Sequence, residues 1–208
     1  MGLWERYALP AVVSCACSTK PISKQREKVV PHAEGVVLEL GCGSGTNFSH
    51  YNPDKVTRLH ALEPATGMIR RAHKAARGHP LEERIQFIER GAEDIPLEDN
   101  SVDTAVITFV LCTIPDWQSA LSEVSRVLKP GGRVLFSEHG LSPDAGVTKW
   151  QRRIEPFWKP LAGGCHLTRD IFGLFEQSAF ELKGARSMYL PSTPKFAGYV
   201  SWGAAHPA

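Results

Sequence analysis

Residues 37–48 read Val37-Leu38-Glu39-Leu40-Gly41-Cys42-Gly43-Ser44-Gly45-Thr46-Asn47-Phe48, an apolar run that stops in glycines at alternate positions. Glycines so placed let the chain turn with positive φ and let a ligand approach main chain where a Cβ would collide. The pattern predicts a buried strand, Val36 to Leu40, delivering a ligand loop.

The surrounding sequence says what kind of sheet holds that strand. From Gly35 to Ser137, strand-like apolar runs alternate with amphipathic helical segments, the mark of an α/β sheet with crossover helices. A helix is expected at Gly45 to Tyr51, a second strand at Arg58 to Leu62, and a helix at Thr66 to Ala76 with Met68, Ile69, Ala72 and Ala76 at helical spacing. Further strands are expected at Ile85 to Glu89 and Val102 to Phe109. The second of these is apolar almost throughout, as a strand covered on both faces should be. The helix Trp117 to Leu128 stops at Lys129-Pro130-Gly131-Gly132, and Arg133 to Ser137 is the next strand. Beyond Glu138-His139-Gly140 the alternation loosens into helices at Val147 to Phe157 and Thr168 to Ser178 and strands at Phe180 to Tyr189 and Phe196 to Trp202. Thr168-Arg169-Asp170 is a helix-starting cap.

A chain of 208 residues suits one domain. We divide it into an N-terminal lid segment (1–30), a cofactor-binding core (31–139), and a substrate lid with the final strands (140–208). The formal net charge of +2 is small and the basic residues are interspersed with acids, which argues against nucleic acid as a partner. Met1 to Ser18 is apolar in places but broken by Glu5, Arg6 and Pro10, too short to span a bilayer and without the order of a secretory signal. The five cysteines form no Cys-x-x-Cys pair and no metal-finger spacing. Reduced thiols, a cytoplasmic location, no integral membrane segment and no metal are the expectations, with a monomer or homodimer acting on a small molecule.

Two ligand classes use a glycine loop after the first strand of such a sheet. A dinucleotide needs G-x-G-x-x-G opening a helix, but here Gly45 comes one position early and Thr46 stands where a small residue belongs. S-adenosylmethionine has no phosphate and instead presents an amino acid carboxylate and ammonium. The backbone at Gly41, Cys42, Gly43 and Gly45 would grip these, with Glu39 as the nearby acid. Glu63-Pro64 ends the second strand about twenty residues on, where a carboxylate accepts from both ribose hydroxyls. Met68 would cover the adenine face, Ala92 and Glu93 would read its edge, and Thr108 and Phe109 would close the pocket.

With those residues in place, the chain resembles the class I S-adenosylmethionine-dependent methyltransferases of the type 11, ubiquinone-biosynthesis-like group. The likeness rests on Leu38 through Gly45, Glu63-Pro64, Met68, Gly91-Ala92-Glu93-Asp94-Ile95-Pro96, Asn100-Ser101-Val102-Asp103 and Leu128-Lys129-Pro130-Gly131-Gly132. It implies a doubly wound Rossmann-like sheet, mostly parallel with an antiparallel last strand and helices on both faces. It also implies S-adenosyl-L-methionine as the methyl donor. Gly91 departs from the Asp or Asn of many relatives, so adenine recognition there rests on Glu93 and main chain. A narrower resemblance runs through Glu138-His139, Trp150, Pro156-Phe157-Trp158, Gly163-Gly164-Cys165-His166-Leu167-Thr168-Arg169, Ser178-Ala179-Phe180 and Gly198-Tyr199. These look like the methyltransferase-like-7 subgroup, membrane-associated enzymes that methylate small thiols. Its longer apolar anchor has no counterpart in residues 1–18, and membrane attachment is not expected.

Methyl transfer is a direct displacement that needs alignment and exclusion of water more than acid/base machinery. His139, on the carboxyl edge of the sheet, is the first catalytic candidate for favouring a thiolate, followed by His166 and Arg169 in the glycine-flanked loop. The plainer readings are that His139 caps a strand end, that Cys165-His166 is mere adjacency, and that Trp150, Phe157 and Trp158 are packing. The aromatic content of both lids suits a small apolar acceptor. The function read from the sequence is methyl transfer to such a molecule, most plausibly at a thiol. Carbon or oxygen methylation of a quinone or phenol, nitrogen methylation of a phospholipid headgroup, and a non-catalytic cofactor-binding module are the alternatives.

Overall fold

The computed structural model describes residues 19–208. The strands are β1 Gly35–Leu40, β2 Val56–Leu62, β3 Ile85–Ile88, β4 Val102–Thr108, β5 Leu128–His139, β6 Phe180–Tyr189 and β7 Tyr199–Pro207. The helices are α1 Lys20–Arg26, α2 Thr66–Ala76, α3 Trp117–Val127, α4 Ala145–Leu161, α5 Ile171–Glu176 and α6 Lys195–Gly198. The strands form one seven-stranded sheet in the order β3-β2-β1-β4-β5-β7-β6. Strands β1 to β5 pair in parallel, and β7, the last in the chain, runs antiparallel to both β5 and β6.

Period-two alternation splits each central strand between two cores. Leu38 and Leu40 of β1, Ala105 and Ile107 of β4, and Val134 and Phe136 of β5 pack with Leu121 and Val124 of α3 and Leu174 and Phe175 of α5. Val37, Val106 and Leu135 face the other way, toward Ile69, Ala72 and Ala76 of α2 and the ring of Phe48. Burial on both faces is why these strands read as unbroken apolar runs.

Several elements depart from the sequence expectation. Gly45 to Tyr51 is not an α-helix: Gly45 sits at φ +80° and only Phe48–His50 forms a single 3-10 turn. Asn47 turns its amide inward, and Pro53 disfavours helical backbone at Asn52. Helix Thr168 to Ser178 contracts to α5, capped by Asp170, whose carboxylate accepts from the Gly173 amide at 3.2 Å. Thr168 instead gives its amide and hydroxyl to Glu155. Lys195–Gly198 is a short helix after Pro194, so the final strand starts only at Tyr199. Trp150 and Phe157 are not packing residues, being 59% and 75% exposed. Their helix, α4, buries little besides Gln151, whose side chain bonds the backbone of Gly140, Ser142 and Phe196.

The greater part of the expected N-terminal lid, Met1 to Ser18, lies outside the described residues. Among the described residues no helix is long and apolar enough to cross a membrane.

Candidate active site

The parallel strands β1, β2, β4 and β5 release Gly41, Glu63, Phe109 and His139 along one edge, the carboxyl edge where open α/β sheets bind ligands. Gly41 turns at φ +61°, and a Cβ there would stand 2.3 Å from Cγ2 of Val110. Only glycine lets the loop leave β1 against the Val110 side chain. The Cys42 amide donates to Leu62 O at 3.0 Å and the Gly45 amide to Cys42 O at 2.9 Å, closing a tight turn.

Glu63 holds that turn from the next strand. One carboxylate oxygen accepts from the Gly43 amide at 3.1 Å and the other from the Ala65 amide at 3.0 Å. Each carboxylate oxygen retains a second lone-pair site. Burial raises the pKa of this carboxyl, opposed by those two amide bonds. Beside it lies a cleft of about 270 Å³ whose wall includes Gly41, Glu63, Pro64, Ala92, Glu93 and Gly163. A Cβ on Gly91 would come within 2.7 Å of Oε2 of Glu93. The Glu93 carboxylate thus occupies the space that a larger residue at 91 would need.

Other residues expected at the cofactor stand behind the loop. Glu39 alternates with Leu38 and Leu40 and so faces away from them. Its two carboxylate oxygens accept from Nδ2 of Asn47 and the hydroxyl of Tyr51, each at 2.9 Å. Burial pushes its carboxyl up to about 7, against the pull of Tyr51, Asn47 and Arg26. Thr108, on the same face by parity, accepts at its hydroxyl from Arg26 and Asn47, both at 2.9 Å. Cys42 is buried, and burial raises its thiol pKa, with Glu39 and Glu63 adding to the shift. Gly45 is required by packing, since a Cβ would meet the Phe48 ring at 2.6 Å. Met68 is half-buried on α2 and is not part of the cleft wall.

A second, mostly apolar cavity of about 640 Å³ adjoins the cleft. Thr113 lines both. Its wall includes Ile22 of α1, Phe109, Trp158 and Phe196, the last two in edge-to-face contact with centroids 5.9 Å apart. Cys112, His139 and Cys165 also line it. Nε2 of His139 lies 2.9 Å from Sγ of Cys165, and Nε1 of Trp158 donates to the same sulfur at 3.3 Å. A hydrogen bond with Cys112, then the charge and contact of His139, hold the Cys165 thiol well below its ordinary pKa.

His166 and Arg169 line neither cavity. Nδ1 of His166 meets Glu155 at 3.3 Å and its amide donates to Cys112 O at 2.9 Å. Arg169 donates from its guanidinium to Leu111 O at 2.6 Å. The His166 side chain ties the loop carrying Cys165 to α4 through Glu155, while its amide and the Arg169 guanidinium tie that loop to the segment after β4. Sequence reasoning missed Cys112, Thr113 and Glu138. The buried Glu138 carboxylate accepts the Val110 amide at 2.7 Å, fixing the turn that Gly41 abuts.

The methyltransferase domain family matches residues 38–136. The chain belongs to the class I S-adenosylmethionine-dependent methyltransferases. Within that class it is 35% identical to human thiol S-methyltransferase TMT1B over 195 residues, 86% of this chain and 79% of that protein. It is 39% identical to the TMT1B of Rattus norvegicus over 150 residues, 71% of this chain but only 60% of the rat protein. A solved structure of geranyl diphosphate methyltransferase in complex with S-adenosylmethionine superposes with a TM-score of 0.72 at 15% identity, covering 89% of this chain and 85% of that one.

Proposed function

We propose that this chain methylates the sulfur of a small apolar thiol held in the 640 Å³ cavity. The observation that carries this reading is the contact of that cavity with the cofactor cleft at Thr113, with His139 in its wall. The relatives named as thiol S-methyltransferases support it. Bound in the cleft, S-adenosylmethionine supplies an electrophilic methyl on a sulfonium. Gly41, Pro64, Ala92 and Glu93 form the walls for it, and Glu63 offers its remaining lone pairs to the ribose. Glu39 and Thr108 hold the loop from behind, through Asn47. The aromatic lining excludes water from the acceptor, and the imidazole of His139 favours the thiolate over the thiol. His166 and Arg169 act by positioning the loop. In a single domain, residues 140–208 supply a substrate lid together with the final strands, and the described part of the N-terminal segment borders the same cavity through Ile22.

A panel of thiols, phenols and quinones, read out by S-adenosylhomocysteine formation, tests the acceptor. Thiols should be turned over. Turnover of quinones or phenols with thiols inert would move the assignment to carbon or oxygen, and cofactor binding without product on any acceptor would leave a binding module. His139→Ala should lower turnover on thiols far more than cofactor affinity, whereas equal loss of both would make His139 structural.

A further inference from the structure

Cys112, His139 and Cys165 come from three separate stretches of chain: the turn after β4, the end of β5 and the loop after α4. Their ligand atoms converge, all lying within 4.8 Å of one another on the wall of the larger cavity. Two sulfurs and an imidazole nitrogen form a donor set that suits Zn²⁺. With metal–sulfur bonds of about 2.3 Å and metal–nitrogen bonds of about 2.0 Å, tetrahedral ligand atoms stand roughly 3.5 to 3.8 Å apart. The 2.9 Å contact between His139 and Cys165 therefore has to open by somewhat under ~1 Å, and no pair has to close by more than about 1.3 Å.

The surroundings fit a metal as well as the donors do. Cys112 and Cys165 are 2% and 6% exposed, and two thiolates cancel the charge of a dication, so the buried unit is close to neutral. The indole of Trp158 donates to Cys165 Sγ, the kind of outer hydrogen bond that orients a ligating sulfur. Three protein donors leave one tetrahedral position open. All three line the same cavity, so a ligand for that position can come from the space assigned to the acceptor.

We propose that Cys112, His139 and Cys165 form a zinc site whose fourth position takes the sulfur of the acceptor thiol, a step that rests on the thiol reading above. Coordination releases the thiol proton to solvent and keeps the sulfur as a thiolate in an apolar cavity. That sulfur forms a bond to the methyl carbon with one of its lone pairs. The bond from the same carbon to the sulfonium breaks, its electrons remaining on the departing S-adenosylhomocysteine. The product is a neutral thioether, a weaker ligand than the thiolate, and it leaves the metal. No oxidant or reductant is involved.

The full chain, freed of metal and kept in a phosphine reductant, is titrated with Co²⁺ as a spectroscopic stand-in for Zn²⁺. One equivalent should bind with thiolate-to-cobalt charge-transfer absorption. Cys112→Ser and Cys165→Ser should each weaken binding by roughly tenfold or more, while the Cys15→Ser/Cys17→Ser double variant should leave the absorption intact. Adding a simple alkanethiol, without methyl donor, should shift the charge-transfer band. In the unaltered chain, Zn²⁺ should also protect Cys112 and Cys165 from alkylation mapped by mass spectrometry. Absence of stoichiometric Co²⁺ binding, absorption that survives both serine changes or is lost in the double variant, a band unmoved by thiol, or no zinc protection would each overturn the proposal. A metal site that responds to thiols stands even if the acceptor panel yields no methylated thiol, and thiol methylation by a chain that binds no metal removes the metal site alone.

Discussion

The carboxylate of Glu63 and the backbone amide of Gly43, 20 positions apart in sequence, are joined by a 3.1 Å hydrogen bond. The strand-end acid therefore shapes the glycine loop before any ligand arrives. Glu63→Ala should weaken binding of S-adenosylhomocysteine by roughly 1 to 3 kcal/mol, through loss of the ribose acceptor and loosening of the loop together. Glu63→Gln, which keeps one acceptor oxygen, should lose less. Titration calorimetry measures both, and an unchanged affinity in the alanine variant would remove Glu63 from the cofactor site.

Gly41 is pinned by Val110 at 2.3 Å from the place of its absent Cβ, and by φ +61°. Gly41→Ala should destabilise the fold by about 1 to 3 kcal/mol, part from overlap and part from backbone conformation. Combining it with Val110→Ala removes the 2.3 Å overlap with Cγ2, leaving a tight 3.0 Å approach to Cβ and the conformational part. A double-mutant cycle on urea unfolding should give a coupling of at least about 0.5 kcal/mol. Strict additivity would show that Val110 is not what excludes a side chain at 41.

The buried Glu39 carboxyl titrates at about 7 in the fold, raised from an ordinary 4.5 mainly by burial. Between those two values the folded state holds the proton that the unfolded chain has released. This group's contribution to stability is therefore full below pH 4.5 and is lost as pH rises through 7. Glu39→Gln can still accept from Asn47 and can donate to the oxygen of Tyr51, and it does not ionise. The stability of the variant relative to the parent should rise by on the order of 3 kcal/mol from pH 4.5 to pH 8. Urea midpoints across that range measure it, and a difference that does not vary with pH would be evidence against the shift.

The parallel half of the molecule was legible because its signals are local. Apolar runs covered on both faces, the spacing in Thr66–Ala76 and the Pro-Gly-Gly stop placed β1, β2, β4, α2 and α3 close to where they lie. Glu39 was read from its place before the loop as an acid for the methyl donor, and its buried partners Asn47 and Tyr51 came into view only in the fold. The helix expected after the loop failed because helical propensity carries no information about the left-handed Gly45 or the inward-turned Asn47. The grouping of Cys112, His139 and Cys165 was invisible for a different reason. His139 and Cys165 are 26 positions apart and all three lie on irregular chain or strand ends, so only the tertiary fold brings them together.

The loop between α4 and α5 has Gly163 in the wall of the cofactor cleft and Cys165, two residues on, in the wall of the neighbouring cavity. Gly163 and Gly164 both take positive φ, at 65° and 87°, so this short piece of backbone separates the two compartments with little side-chain bulk. Any shift of it that reshapes one wall reshapes the other. With the methyl donor in the cleft and the proposed acceptor in the cavity, the two would not be independent guests: whatever factor the first to bind imposed on the second, the second would return to the first.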